Sequence, residues 1–161
     1  MNEISSPALQ DHYPDDVAHC YGCGRLNPLG HQLKSHVIGE ETVARFVPRP
    51  EHLSVPGFVY GGLVASLIDC HGMATAAAAD MQRSGRAVGD GPTPRFVTAG
   101  LNVRYLKPTP MGVELEIRGR VKEAGERKFV IEATVTVGGV VTATGEVVAV
   151  RMPNAMMRSR V

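Results

Sequence analysis

The sequence predicts an α+β fold in which a long central α-helix is wrapped by a curled antiparallel β-sheet. Three observations predict it. Residues 63–79 form a run that is apolar on nearly every side. From Arg95 onward, apolar and polar residues alternate with a period of two through long segments. Two shorter strand-like segments precede the run. A single helix cannot bury all its faces against a flat sheet. The sheet must therefore curl round it, or a second copy must cover what is left.

In chain order, residues 1–17 read as a polar, Pro-containing, flexible lead. Residues 18–30 read as a compact loop punctuated by Gly22, Gly24, Pro28 and Gly30. Two short strands are expected at 33–38 and 42–47, joined by a turn at Gly39-Glu40-Glu41. A Pro-containing loop follows at 48–57. Gly61-Gly62 opens the helix, and the 17 residues 63–79, apolar on nearly every side, span roughly 25 Å at helical rise. Such a helix must be buried on most sides. Residues 80–93 are polar and Gly-rich and are expected to be a mobile loop. Residues 96–107 read as the strand leading into a meander. Val113, Leu115, Ile117 and Val121 then alternate with Glu114, Glu116, Arg118, Arg120 and Lys122. The same alternation recurs around Ile131–Val137 and Val141–Ala149, which gives long strands with one face on a core. Gly138-Gly139 between the last two is a two-residue hairpin signal. Residues 152–161 are assigned as a tail. The domain proper is thus expected over 18–151.

Composition narrows the function. At 161 residues the chain is the size of one domain. Lys plus Arg is 17 against 16 Asp plus Glu, too even a balance for a surface that binds nucleic acid through phosphates. Aromatics make up 5% and Trp is absent, which argues against base-stacking platforms. Asp69 and His71 inside the apolar run argue for a buried helix rather than a membrane span. The first 16 residues lack a basic region followed by an apolar one, so a signal peptide is not expected. Three cysteines, Cys20, Cys23 and Cys70, do not suggest a secreted disulfide framework. A reducing cytoplasm is the expected location.

The chemistry-bearing residues sit on and before the helix. Asp69 is the only carboxylate between Leu63 and Ala79. A carboxylate in such a helix is costly unless it has a use, and burial moves its pKa toward a useful range. Gly61 and Gly62 stand where backbone N–H groups lack intrahelical acceptors, and those donors suit a developing oxyanion. Cys70 and His71 adjoin Asp69, but adjacent helix positions diverge by about 100°, so the three cannot converge as a triad.

The segment Val59-Tyr60-Gly61-Gly62-Leu63-Val64-Ala65-Ser66-Leu67-Ile68-Asp69 resembles the helix-start motif of hotdog-fold thioesterases, His-Gly-Gly, six residues, then Asp or Glu. The run from Phe96 to Pro108 resembles that family's strand after the helix, and the closing strands resemble its meander. The likeness covers residues 20–150 and is nearest the phenylacetyl-CoA thioesterase-like (PaaI-like) branch. It implies a hotdog fold, a homodimer or dimer of dimers with sites at the subunit interface, and hydrolysis of acyl-CoA to a carboxylic acid and CoA. It needs no cofactor. By this resemblance Asp69 is the general base or the nucleophile, and Gly61, with Gly62, offers the carbonyl-binding N–H. Thr98 falls where relatives carry Ser or Thr facing the site from the partner subunit and orienting water.

Two positions depart from the pattern. Tyr60 stands where the family has His, and Ser54 stands where it often has Asn or Gln. Both can still donate a hydrogen bond. Cys20-Tyr21-Gly22-Cys23-Gly24 has the spacing of a zinc half-site, with His19, His31, Cys70 and His71 as further donors and no second Cys-x-x-Cys. Similar segments begin relatives of this branch, which implies a structural loop. Arg83, Arg86, Arg104 and Lys107 are the available basic residues for CoA phosphates. The alternative function is a non-catalytic hotdog protein that binds acyl-CoA. A hotdog dehydratase ranks last, since no Asp-x-x-x-x-His arrangement is present.

Overall fold

The structure is a computed structural model that describes the backbone of residues 4–158. Six strands form one antiparallel sheet: β1 (Ser35–Ile38), β2 (Glu41–Phe46), β3 (Phe96–Tyr105), β4 (Leu115–Ala124), β5 (Lys128–Val137) and β6 (Val140–Arg151). Their order across the sheet is β1-β2-β4-β5-β6-β3, so β3 is an edge although it comes third in the chain. The sheet curls round α1 (Gly61–Arg83), which packs against all six strands. This is the hotdog arrangement that the motif resemblance implies. The Gly138-Gly139 turn between β5 and β6 has positive φ at both residues, as a two-residue hairpin requires.

Small residues let the sheet close tightly on the helix. Ala74, Ala76, Ala77 and Ala78 of α1 are all buried. The sheet answers with glycines. A Cβ on Gly119 would lie 2.3 Å from Thr75 Oγ1, and one on Gly145 would lie 2.5 Å from Ile68 Cγ2. The aromatic-poor composition is therefore the packing requirement of a helix held inside a curl. Leu67 and Ile68 are fully buried there, each contributing about 1.5–3 kcal/mol of hydrophobic stabilisation. The helix is long and apolar enough to cross a membrane, yet most of that stretch is buried inside the domain.

Three expectations need correction. The lead expected at 1–17 is not separate from the core. Leu9 and Tyr13 are buried, and Gln10 exchanges hydrogen bonds with Ser35, its Nε2 donating to Oγ at 3.1 Å and its Oε1 accepting from the backbone N–H at 2.8 Å. The short 3-10 turn Leu9–His12 puts these side chains inward.

The loop expected from residue 80 starts later. Asp80 is buried and ion-paired to Arg83 at 2.7 Å and to Arg151. That pairing lets the helix run on to Arg83. The loop itself is tied down. Arg86 donates to the carbonyls of Asp90 and Pro92, and buried Thr93 donates to the Leu9 carbonyl at 2.9 Å. The tail begins as a short helix, α2 (Asn154–Arg158). Its residues 159–161, and residues 1–3 of the lead, lie outside the described residues.

Candidate active site

Successive residues of α1 face three different surroundings. Asp69 meets Thr98 of β3, whose Oγ1 donates to Asp69 Oδ1 at 2.5 Å. Cys70 meets Cys20, with sulfurs 3.8 Å apart. His71 meets Ser35 Oγ at 2.9 Å and Thr42 Oγ1 at 3.0 Å. The helical advance separates the three, as adjacent positions require.

Asp69 is only half-buried. Burial pushes its carboxyl above the usual carboxylate range, and the Thr98 hydrogen bond pulls it back. Nearby Cys20 adds to the rise and Arg95 opposes it. Oδ2 has no hydrogen-bond partner among the described residues. One carboxylate oxygen is thus held in place while the other is free to accept a proton.

Within the chain, Thr98 of β3 sits against Asp69 of α1. The register of β3 on β6 shifts between Thr98 and Gly100, a β-bulge at Ala99. In a regular strand Thr98 and Tyr105, seven positions apart, would point to opposite faces. The extra residue inverts the alternation, and both side chains reach α1. Tyr105 Oη donates to the Gly61 carbonyl at 2.6 Å. Tyr105 was not singled out from the sequence, because only the bulge turns it toward the helix.

The helix start forms a second group. Leu63 and Val64 both donate to the Tyr60 carbonyl, at 3.1 and 3.4 Å. The N–H groups of Gly61 and Gly62 have no backbone acceptor among the described residues, and no side chain caps the helix. The Tyr60 ring covers Gly62 so closely that a Cβ there would lie 2.3 Å from it. Tyr60 itself is exposed, and its backbone N–H donates to the His52 carbonyl at 2.8 Å. Ser54 is exposed in the preceding turn, where its N–H donates to the Phe58 carbonyl at 2.9 Å.

The six site residues read from the sequence therefore fall into two sets. Asp69 and Thr98 meet. Gly61, Gly62, Tyr60 and Ser54 cluster at the start of the helix. Eight residues of helical rise place Gly61 about 12 Å from Asp69 along the axis, too far for both to act on one carbonyl group. Of the basic residues, Arg83 is engaged by Asp80 and by the Gly125 and Glu126 carbonyls, and Arg86 by its own loop. Arg104 and Lys107 are exposed and form no ion pair among the described residues.

Residues 56–144 match the family model of the thioesterase superfamily. The chain belongs to the thioesterase superfamily. A crystal structure of a thioesterase superfamily protein from Shewanella loihica PV-4 is 50% identical, with a TM-score of 0.66, covering 86% of this chain and 98% of that one. The Escherichia coli PaaI protein from the phenylacetic acid degradation operon shares the fold at 14% identity and a TM-score of 0.61, covering 76% of this chain and 81% of that one. So does smu.793 from Streptococcus mutans UA159 bound to acetyl CoA, at 20% identity and a TM-score of 0.59, covering 74% and 88%. Among curated proteins none is a significant match. Tyr60, Gly61, Gly62, Asp69 and Thr98 all lie within the residues that match the thioesterase superfamily.

Proposed function

We propose that the protein hydrolyses acyl-CoA thioesters, as a PaaI-like hotdog thioesterase acting in the cytoplasm as a homodimer or dimer of dimers. The observation that carries this reading is the Asp69–Thr98 pair. It is a half-buried carboxylate with one oxygen fixed, one oxygen free and a raised pKa. Such a group accepts a proton from water as the oxygen attacks the thioester carbonyl carbon. The carbonyl oxygen gains negative charge, which free helix N-terminal N–H groups stabilise. The C–S bond then breaks, CoA leaves as its thiolate, and the proton on Asp69 is available to it. The same geometry admits direct attack by the carboxylate, with water then cleaving the anhydride.

The distance between the two residue sets supports a dimer. Asp69 of one copy and the Gly61 and Gly62 donors of a second copy serve one carbonyl group where a single chain's do not. The surface agrees with this. Phe58, Tyr60, Leu101, Tyr105 and Leu106, on the helix start and along β3, are 40–58% exposed, an apolar patch that marks an interaction face. Strand β3 also offers an unpaired edge of ten residues. The family neighbour bound to acetyl CoA supports CoA as the carrier, with Arg104 and Lys107 as the cations left for its phosphates.

The experiment is a panel of aryl and short-to-long fatty acyl-CoAs, following CoA release by the wild type and by Asp69→Asn. Turnover lost in Asp69→Asn supports hydrolysis. Saturable binding with no turnover, unaltered by that change, makes the protein a non-catalytic acyl-CoA binder. Light scattering checks assembly, where a monomer at working concentration overturns the shared site.

A further inference from the structure

Three cysteines converge where the loop at 18–30 meets α1. The sulfurs of Cys20, Cys23 and Cys70 all lie within 4.8 Å of one another, and none is in a disulfide. We propose that Cys20, Cys23 and Cys70 bind a single thiophilic divalent cation, of which zinc is the type, and so clip the loop to the helix.

Several features support it independently. A tetrahedral zinc–thiolate centre with bonds near 2.3 Å places its sulfurs about 3.8 Å apart. Cys20 and Cys70 already stand 3.8 Å apart across fifty residues of sequence. The loop has the shape of a metal knuckle. The Gly24 N–H closes the turn on the Cys20 carbonyl at 2.7 Å. Gly22 makes room for the third ligand, since a Cβ there would lie 2.3 Å from Cys70 Sγ.

Charge also balances. Three thiolates around a divalent cation leave one net negative charge. Arg95 donates to Cys23 Sγ at 3.9 Å and supplies the compensating positive one, the kind of outer partner that metal sites use to hold ligands in place. Cys20 is only half-buried. Its open side gives the ion a path in and leaves a fourth position for water or another small donor. Ligation releases the thiol protons and leaves every sulfur at its starting oxidation state. The site would fix the turn of α1 that carries Asp69, one residue before Cys70.

The test titrates the fully reduced wild type with Co2+ and then with Zn2+. The expected result is one Co2+ per chain, with a near-ultraviolet sulfur-to-cobalt charge-transfer band and the strong visible bands of tetrahedral geometry. One equivalent of Zn2+ should erase both and raise the thermal midpoint. Cys70→Ser should weaken Co2+ binding by at least tenfold. Should Cys70→Ser fail to fold, Cys20→Ser on the exposed side gives the same comparison. The proposal is overturned by a weak octahedral spectrum from wild type with three free thiols. A band that survives both substitutions also overturns it. So does a cluster that takes up no metal and closes to a Cys20–Cys70 disulfide on mild oxidation. Acyl-CoA hydrolysis is read separately, so failure of the metal site leaves the hydrolase reading standing.

Discussion

Helix α1 carries two polar clusters of opposite character only two residues apart. Around His71, every member is buried: Gln10, Ser35, Thr42 and Thr75 are at most 2% exposed. Their partners close on one another, from Gln10 to Ser35, Ser35 to His71, His71 to Thr42, and Thr42 to Thr75 at 2.6 Å. Around Asp69 there is one side-chain bond, an open carboxylate oxygen and an exposed strand edge. A saturated network fixes a fold, because each lost bond strands a buried group. An unsaturated one leaves capacity for a substrate. The His71 cluster joins the N-terminal turn, β1 and β2 to the helix. The Asp69 pair is a single link between the helix and the edge strand β3.

The largest way to break that contrast is Asp69→Asn. Loss of general-base or nucleophilic action should lower kcat by about 10²–10⁴-fold. Stability should stay level or rise. Burial holds the Asp69 pKa up, so the charged form costs the fold something that a neutral amide does not. Steady-state kinetics beside thermal melts check both arms. An inactive variant that also melts early would mean that Asp69 is structural after all.

His71→Ala should do the reverse. It leaves a cavity and two hydroxyls each short of one partner, a loss of about 3 kcal/mol, or roughly 10 °C in midpoint for a domain of this size. Activity measured well below the melt should remain within a few-fold of wild type.

Acid sharpens the same point. Burial lowers the His71 pKa from 6.5 to about 4. The fold therefore holds a neutral ring that the unfolded chain protonates near pH 6.5. The stability this ring contributes is fully present above that value. It is lost as pH falls from 6.5 toward 4, by up to about 3 kcal/mol. Denaturant unfolding at a series of pH values should show this loss in wild type and a flatter curve in His71→Ala.

How much of this was legible in the sequence follows from what each feature depends on. The helix and the meander rest on local periodicity, so 63–79 and the alternation after Arg95 were enough to place them. Asp69, the two glycines and Thr98 are candidates only through the resemblance to the family motif. That Thr98 meets Asp69 within one chain, beside Tyr105, is not a local signal. Thr98 and Tyr105 reach the same helix only because a bulge at Ala99 inverts the strand's alternation, and a bulge is set by pairing with β6. Cys70 joins the Cys20 loop through tertiary packing that no local pattern records. The burial of Asp80 needed Arg151, seventy-one residues away. The packed N-terminal turn was hidden for the same reason, since Leu9 and Tyr13 are too few to form a periodic signal.

Thr98→Val is the smallest and most discriminating change. Valine keeps the shape and the β propensity of threonine, so β3 should remain paired. Only the bond to Asp69 Oδ1 is removed. A hydrogen bond to a charged group is worth about 1.5–3 kcal/mol, so kcat should fall roughly tenfold, with KM little changed. The decisive measurement is the double variant. If Thr98 acts by holding the carboxylate, its substitution costs nothing further once Asp69 is Asn. An equal tenfold loss on both backgrounds would make Thr98 an independent contact to substrate or water. The Asp69–Thr98 pair would then be two separate groups that happen to touch.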